Sequence, residues 1–294
     1  MPKSTVCVAL AMALAACAAP KKEGKTSAVQ PLPFFEAPKA AADPEARTDA
    51  PTVLVTGATI MTGAGKTFAP GYLLMQNGRI VAVGAGTIEP PAGATVIDAT
   101  GRFVTPGLID THSHIGVYPM PYVHALRDGN EATSPTTPEV WAEHSFWPQD
   151  PSIWRAVAGG VTTIQVLPGS ANLIGGRSFV AKLHPGASAR AMRFPGAPQG
   201  LKMACGENPK RIYGDEQGSA PSTRMGNVAG YRKAFQAAYE HRRALRRYEN
   251  ELERWKEKQA DPDNEDDPTD PPDPPERDFG LETLVGVLDG EILV

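Results

Sequence analysis

The chain has 294 residues, of which 29 are Lys or Arg and 33 are Asp or Glu, so its formal net charge at pH 7 is −4. This balance argues against a nucleic-acid-binding protein, which normally carries a concentrated basic surface. Hydrophobic residues make up 41% of the chain, but no apolar run of 18 or more residues follows the N-terminal segment, which excludes a polytopic membrane protein. The 29 glycines and 29 prolines indicate many turns and argue against an all-helical bundle.

The first residues have the pattern of an export signal, because an apolar stretch ends in Leu14-Ala15-Ala16-Cys17, which resembles the bacterial lipobox. We predict a lipoprotein signal over residues 1–17 with Cys17 as the lipid anchor. Ala18 is not the Asp that retains lipoproteins at the inner membrane, so the expected location is the periplasmic side of the outer membrane. The alternative is an ordinary secretory signal cleaved at an Ala-x-Ala site. Either way Cys205 has no intrachain disulfide partner.

Two segments follow the signal. Residues 18–50 are rich in Ala, Pro, Lys and Glu without periodicity, and we expect them to form a flexible tether. Residues 51–106 form a small β-unit in which Asn77-Gly78 predicts a hairpin turn. Ala64-Gly65-Lys66-Thr67 is interpreted as a turn, because Ile60 replaces the first glycine that a phosphate-binding loop requires. The strands expected in this unit cover residues 53–55, 72–75, 79–83 and 95–98.

From residue 107 onward apolar runs alternate with longer polar or helical stretches, which is typical of buried parallel strands. A helical pattern covers residues 227 to about 259. The segment 241–278 contains eight basic residues, thirteen acidic residues and six prolines, and we predict a solvated surface insertion there. The strands expected in this half of the chain cover residues 108–110, 161–167, 178–183, 201–205 and 290–294.

The most informative stretch is residues 104–116, which include His112-Ser113-His114 directly after an apolar strand. Alternate side chains of a strand share a face, so His112 and His114 project together while Ser113 points the other way. Two imidazoles at a strand end can hold one divalent metal. A His-x-His pair alone is a weak signal, but the preceding Pro-Gly-Leu-Ile-Asp makes the combination specific.

At this point the sequence resembles the amidohydrolase superfamily, in its imidazolonepropionase-like branch. The resemblance is carried by residues 77–84, by residues 106–114 and by Ala158-Gly159-Gly160-Val161-Thr162-Thr163. It implies an α/β fold, with residues 51–106 as part of an accessory N-terminal β-sandwich and residues 107–294 as the first half of a (β/α)8 TIM-like barrel. Only an N-terminal part of the superfamily's fold is then present. The metal site is expected at the C-terminal ends of the barrel strands.

The resemblance also implies further metal ligands: a carboxylate or carboxylated lysine from the fourth strand, histidines from the fifth and sixth, and an aspartate from the eighth. Two residues are candidates on the fourth strand. Lys202 lies inside an apolar run, where a neutral or carbamylated amine is easier to bury than an ammonium. Glu207 lies just past the strand end, and the two candidates stay open. The implied cofactor is a divalent metal, zinc by expectation.

The expected function is metal-dependent hydrolysis of a C–N bond in an amide, a cyclic amide or a dipeptide, with a small molecule or peptide as substrate and the membrane contacted through the lipid anchor only. A metal-bound water with a lowered pKa would attack the carbon. The strand-eight aspartate that would act as base has no counterpart here, so no catalytic residue is assigned. The alternative is a non-catalytic lipoprotein fragment or the product of a decayed gene, since a barrel that lacks strands has open edges.

Overall fold

The computed structural model describes residues 49–184, 186–261 and 270–294. The predicted signal with Cys17 and residues 18–48 of the predicted tether lie outside the described residues, as do residues 262–269 of the charged segment. Within the described ranges, no helix combines the length and the apolar character that crossing a membrane requires.

The N-terminal part of the described chain is a five-stranded sheet. Its strands are β1 (Val53–Met61), β2 (Thr67–Gln76), β3 (Arg79–Ala85), β4 (Thr95–Asp98) and β5 (Phe103–Val104). Antiparallel pairing joins β2 to both β1 and β3, whereas β4 and β5 pair parallel with successive parts of β1. The four predicted strands are confirmed, and β5 is an addition. The buried core of this sheet consists of Val55, Ala58, Ile60, Leu73 and Ala99.

Two turns of this sheet follow the sequence prediction. Asn77 and Gly78 both have positive φ values, 51° and 71°, which is the backbone conformation that a two-residue hairpin between twisted strands favours. The Thr62 amide donates to the Lys66 carbonyl over 3.0 Å and closes a turn before β2. The Ala64-Gly65-Lys66-Thr67 segment is therefore a turn and the start of a strand.

The rest of the chain contributes two three-stranded sheets. Their strands are β6 (Leu108–Ser113), β7 (Val161–Val166), β8 (Ile174–Arg177), β9 (Phe179–Lys182), β10 (Gln199–Met203) and β11 (Ile292–Leu293). The first sheet has the order β6-β7-β9 and the second has the order β8-β10-β11. The pairs β6·β7 and β10·β11 are parallel, as predicted for buried strands after residue 107.

The prediction of parallel strands is wrong for residues 178–183. Strand β9 pairs antiparallel with β7, and β8, which was not predicted, pairs antiparallel with β10. Residues 167–178 connect β7 to its partner β9 without a helix, whereas parallel neighbours are usually joined through a crossover helix. Ser178 alone separates β8 from β9, so one extended segment contributes a strand to each sheet. Strand β10 consequently runs in the same direction as β7.

Six α-helices occur among the described residues. They are α1 (Ala142–Ser145), α2 (Pro151–Ala158), α3 (Ala189–Met192), α4 (Glu207–Lys210), α5 (Arg224–Ala260) and α6 (Phe279–Leu288). A short 3-10 turn covers His124–Leu126 and a π-helical segment covers Arg211–Glu216. Helix α5 confirms the helix predicted over residues 227–259.

The charged segment predicted as an insertion shares α5 with well-packed residues. Ala238 is fully buried against α6, and Arg242 donates to Oδ1 of Asp289 over 2.8 Å. Residues 241–260 thus continue a helix whose first half belongs to the core. His241 is half-buried, with its Nε2 atom shielded from solvent, rather than solvated as the sequence suggested.

Two apolar cores support the sheets of the second region. One packs the β6-β7-β9 sheet against α1, α2 and α3, and the other packs the β8-β10-β11 sheet against α5 and α6. Burying the apolar side chains of these two cores stabilises the folded chain by roughly 25 cal/mol for each Å² of apolar surface removed from water. This packing holds the ends of the strands in place. The parallel strands β6, β7 and β10 therefore present their C-terminal ends as firmly held positions.

Candidate metal centre

Strand β6 carries the two histidines of the predicted site. Their ring centroids lie 5.3 Å apart, with the ring planes at 88°. Ser113 between them is buried, and its Oγ accepts a hydrogen bond from the Ile115 amide, so it points away from the histidines as the alternation predicts. The His112 amide donates to Oδ1 of Asp110 over 3.1 Å. The structure thus brings His112 and His114 together at the strand end.

The hydrogen bond of His114 determines which ring nitrogen is available. Its Nδ1 lies 2.8 Å from the carbonyl oxygen of Leu167, at the end of the neighbouring strand β7. A carbonyl can only accept, so Nδ1 carries the proton and, in a neutral imidazole, Nε2 keeps its lone pair. Metal-binding histidines show this arrangement, with the far ring nitrogen donating to a carbonyl or carboxylate.

Lys202 on β10 completes the cluster from a third strand. Lys202 is buried, and its Nζ lies 3.3 Å from Nε2 of His112. Burial lowers the pKa of the Lys202 amine, which favours its neutral form. The pKa of His112 is lowered mainly by the positive charge of Lys202, and further by burial and by the neighbouring His114. The negative charge of Asp110 raises this pKa, but by less. Both shifts favour uncharged nitrogen donors, which is the protonation state that a metal requires.

The second candidate from this part of the sequence lies elsewhere. Glu207 is the first residue of α4, its side chain is 63% exposed, and it pairs with Arg211 over 3.3 Å. Strand β10 ends at Met203, and the intervening turn carries Glu207 away from the strand end. The geometry therefore brings Lys202 to the histidines and leaves Glu207 on the surface.

Asp150 had no predicted role, yet its carboxylate organises the loop after β6. The residue is fully buried, its Oδ2 accepts from the Gly116 amide over 2.9 Å, and its Oδ1 accepts from the Ser152 amide over 2.8 Å. Asp150 thus caps α2 while holding the backbone two residues after His114. The sequence signal was available, since an Asp followed by Pro is a common helix start.

A cavity of about 430 Å³ opens beside the cluster. Its wall includes Pro168, which follows the carbonyl that binds His114, and Gly175, where an added Cβ would lie 3.7 Å from Cγ of Lys202. The opposite wall carries polar and aromatic side chains, namely Asp128, Asn130, Glu131, Trp141 and His144. A second cavity of about 640 Å³ lies between α5 and α6. Neither cavity is lined by His112, His114 or Lys202, but Pro168 and Gly175 bring the smaller one close to them. The smaller cavity is the one next to the candidate chemistry.

The cluster holds two imidazoles and one amine. Among residues 49–184, 186–261 and 270–294, no group of three or more His, Cys, Asp or Glu side chains comes together. The other histidines of these ranges are distributed over loops and helices: His124, His144, His184 and His241. The described residues therefore supply a partial ligand set centred on β6.

Comparison with known proteins identifies the family of the chain. A model of the amidohydrolase family matches residues 95–260. A crystal structure of an amidohydrolase from Thermotoga maritima superimposes with a TM-score of 0.63 and 37% identity, covering 81% of this chain and 55% of that one. The amidohydrolase tasK of Hapsidospora irregularis is 38% identical over 187 residues, 60% of this chain and 19% of that protein.

Similarity extends to other members with named activities. The imidazolonepropionase of Alkaliphilus metalliredigens is 29% identical over 117 residues, which is 34% of this chain and 28% of that protein. The chain thus spans about half of the solved relative and about a fifth of tasK. This partial coverage fits the prediction of an N-terminal part. Because the family match extends over more than half of its residues, the chain belongs to the amidohydrolase family, whose members are generally dependent on a divalent metal.

Proposed function

We propose that this chain supplies the first part of the metal centre of a hydrolase that cleaves C–N bonds in amides, cyclic amides or dipeptides. The arrangement of the three side chains carries the proposal. The Leu167 carbonyl binds Nδ1 of His114 and leaves Nε2 of this ring available, while Nε2 of His112 lies 3.3 Å from Nζ of Lys202. His112 and His114 lie at the C-terminal end of β6 and Lys202 lies near the C-terminal end of β10, which is the end of the strands that carries the active site in barrels of this type.

His112, His114 and Lys202 would hold the metal, which we propose to be zinc. Lys202 would contribute either as a neutral amine or as the carbamate that forms when its amine takes up carbon dioxide. Once bound, a divalent zinc ion would lower the pKa of a water ligand and polarise the scissile carbonyl or amidine. The donor set fits this ion, because imidazole nitrogen is a preferred zinc ligand.

The chain's own residues orient and shield this centre. The Leu167 carbonyl keeps the proton of His114 on Nδ1, and the buried Asp150 carboxylate fixes the Gly116 backbone behind the strand. The cavity beside Pro168 and Gly175 gives a substrate access to the same strand ends. These parts position a small substrate rather than a macromolecule.

We further propose that the described sheets belong to a larger barrel and sandwich. The β6 strand pairs with β7 on one side, and its apolar residues Leu108 and Ile109 are 57% and 67% exposed. In the N-terminal sheet, Val96 and Ile97 are about half exposed. Apolar strands with uncovered edges and faces are normally paired or covered. Additional strands beside β6 and a second layer on the N-terminal sheet would cover them.

The alternative, a non-catalytic lipoprotein fragment or a decayed gene product, is favoured by the partial ligand set of the described residues. Reading the coding DNA beyond codon 294 separates the two. An open frame that continues into strands with further histidines supports a working enzyme, and an immediate stop followed by matching sequence in another frame supports decay.

The activity test uses two proteins. We expect that the 294-residue chain hydrolyses no amide or dipeptide measurably, whereas a chain extended through eight strands, loaded with zinc, does. Replacing His112 and His114 by Ala in the extended protein should abolish that hydrolysis. Metal-dependent turnover by the 294-residue chain, or a fully active double variant, would contradict the proposal.

For the location, we propose that lipid on Cys17 anchors the protein to the outer membrane, facing the periplasm. The support is the Leu14-Ala15-Ala16-Cys17 sequence. Cys17→Ser should abolish incorporation of an acyl label and release the protein into the soluble fraction. Unchanged labelling and fractionation of this variant would contradict the anchor.

A further inference from the structure

A series of hydrogen-bonded polar side chains leads from the His114 ring into the core. Tyr118 meets that ring edge to face, with the centroids 5.6 Å apart, and its hydroxyl donates to Oδ1 of Asn130. The Asn130 amide donates in turn to Oδ1 of Asn172 over 3.2 Å. None of these residues is a metal ligand in the proposed centre, and no motif of the sequence had indicated them.

Asn172 anchors this series in the core. It is 1% exposed, and its Nδ2 lies 2.6 Å from the Glu131 carbonyl and 2.8 Å from the Ser134 carbonyl. The hydroxyl of buried Tyr213 lies 3.1 Å from the same nitrogen and donates to the Ser134 carbonyl over 2.6 Å. A buried polar network with every member satisfied is rigid. Asn172 thus fixes Asn130 from behind.

The Tyr118–Asn130 pair also touches the backbone that holds His114. A Cβ on Gly169 would overlap both the Tyr118 hydroxyl and Oδ1 of Asn130, so the pair lies directly against Gly169. The Gly169 amide donates to the Gly129 carbonyl over 2.7 Å, next to Asn130. Gly169 follows Leu167 by two residues. The pair and this backbone bond therefore restrict the turn that presents the Leu167 carbonyl to Nδ1 of His114.

We propose that Tyr118 and Asn130 are positioning residues: together they hold the Leu167 carbonyl in place and thereby keep the His114 proton on Nδ1 and Nε2 free for a metal. The inference rests on the proposed metal centre for its purpose, but its structural part can be tested without metal. Partners that orient a ligating histidine typically change metal affinity by about 10- to 100-fold when they are removed.

The first test reads the His114 tautomer in the metal-free 294-residue chain. Long-range ¹H–¹⁵N NMR at pH 8 distinguishes the Nδ1–H form of a neutral imidazole from the Nε2–H form. The His114 signal is assigned by its loss in His114→Gln. We expect the Nδ1–H form in the wild type and a mixture with the Nε2–H form in Tyr118→Phe and Asn130→Ala.

Tyr213→Phe is the matched control. It also removes one buried phenol hydroxyl from the same network, but it leaves Tyr118, Asn130 and the carbonyl contacts of Asn172 in place. It should lower thermal stability about as much as Tyr118→Phe while leaving the His114 tautomer unchanged. An unchanged tautomer in both Tyr118→Phe and Asn130→Ala, or an equal shift in Tyr213→Phe, would overturn the proposal.

The second test measures the affinity for Co²⁺, which reports nitrogen ligands by its visible absorption. Tyr118→Phe and Asn130→Ala should each weaken binding by about tenfold, the lower end of the range for such partners, and Tyr213→Phe should not. Wild-type protein that binds no Co²⁺ would contradict the proposed metal centre, while the tautomer measurement would still decide the positioning role. Tyr118→Phe with wild-type affinity would overturn that role.

Discussion

At the scale of residues, the site depends on contacts between strands that are remote in sequence. The His-x-His spacing predicted that His112 and His114 share a face, and the structure places them so. The tautomer of His114 depends on a backbone carbonyl 53 residues away, which no side-chain pattern encodes. The sequence favours Lys202 over Glu207 only slightly. Our proposal of Lys202 as the ligand depends on the position at which β10 ends, since Lys202 is buried near His112 and Glu207 is exposed.

The first prediction separates those two candidates. Lys202→Met keeps an unbranched side chain in the buried position but removes the nitrogen that faces His112, so Zn²⁺ affinity should fall by about tenfold or more. Glu207→Gln removes a carboxylate that forms an exposed ion pair with Arg211, a contact worth ~0.5 kcal/mol or less. Its Zn²⁺ affinity should match the wild type in a competition titration with a chelating dye.

The reverse order of effects would assign the ligand to Glu207. Circular dichroism of both variants serves as the control, since an altered fold in Lys202→Met would make a loss of binding indirect. A second substitution, Lys202→Gln, supplies the same information with a polar side chain. Both Lys202 variants should bind Zn²⁺ more weakly than the wild type.

A second prediction at this scale concerns the backbone next to the cluster. Gly169→Ala would force a methyl group into the Tyr118–Asn130 pair, and overpacking of this kind costs about 1–3 kcal/mol. Gly159→Ala is the control, because a Cβ there would meet no atom closer than 3.4 Å and its backbone angles, φ −83° and ψ 1°, are open to residues other than glycine. Urea unfolding should show the loss for Gly169→Ala only. Equal stability of the two variants would mean that the pair does not press on this turn.

At the scale of elements, periodicity predicted most strands and the long helix, but not the path between β7 and β10. The segment 178–183 has the pattern of a buried strand in either direction. It runs antiparallel to β7, to which residues 167–178 connect it without the crossover helix that usually joins parallel strands. Strand β8 escaped prediction because two of its four residues, Gly175 and Gly176, are glycines, which are depleted in strands. The side-chain pattern of a strand does not encode its direction or its partner.

The third prediction concerns the capping of helices. Asp150→Ala should destabilise the protein by about 2–4 kcal/mol, because it removes the cap of α2 and leaves the buried Gly116 amide without its acceptor. Asp278→Ala removes an exposed cap from α6 with one hydrogen bond to the Leu281 amide, at a cost of about 1 kcal/mol. Urea unfolding of the two variants gives the comparison. Equal losses would show that the loop after β6 does not depend on Asp150.

At the scale of the whole molecule, strand β6 leaves apolar side chains uncovered by the other described residues. Leu108 and Ile109 are more than half exposed, and Phe103 in the preceding strand is 71% exposed. Uncovered apolar strands promote association between chains, and a lysine on such an edge suppresses it. The sequence indicated a barrel family through its motifs, but which apolar residues stay uncovered depends on the strands that pack beside them.

The fourth prediction follows from this surface. The 294-residue chain, carrying Cys17→Ser to prevent any lipidation, should self-associate as its concentration rises, and Ile109→Lys should shift it towards the monomer in sedimentation velocity. Thr162→Lys on β7 is the control, since residue 162 is also exposed but the strand is paired on both sides. A wild-type chain that stays monomeric at high concentration would contradict the proposal that further strands normally cover β6.

The most direct test of the central claim is a Zn²⁺ titration of the 294-residue chain against the His112→Ala/His114→Ala double variant, with Glu207→Gln as a matched control. We predict that the wild type and Glu207→Gln bind one zinc ion per chain with the same affinity, and that the double variant loses this binding while keeping its circular dichroism spectrum. Equal binding by the wild type and the double variant would contradict the assignment of the metal centre to the end of β6.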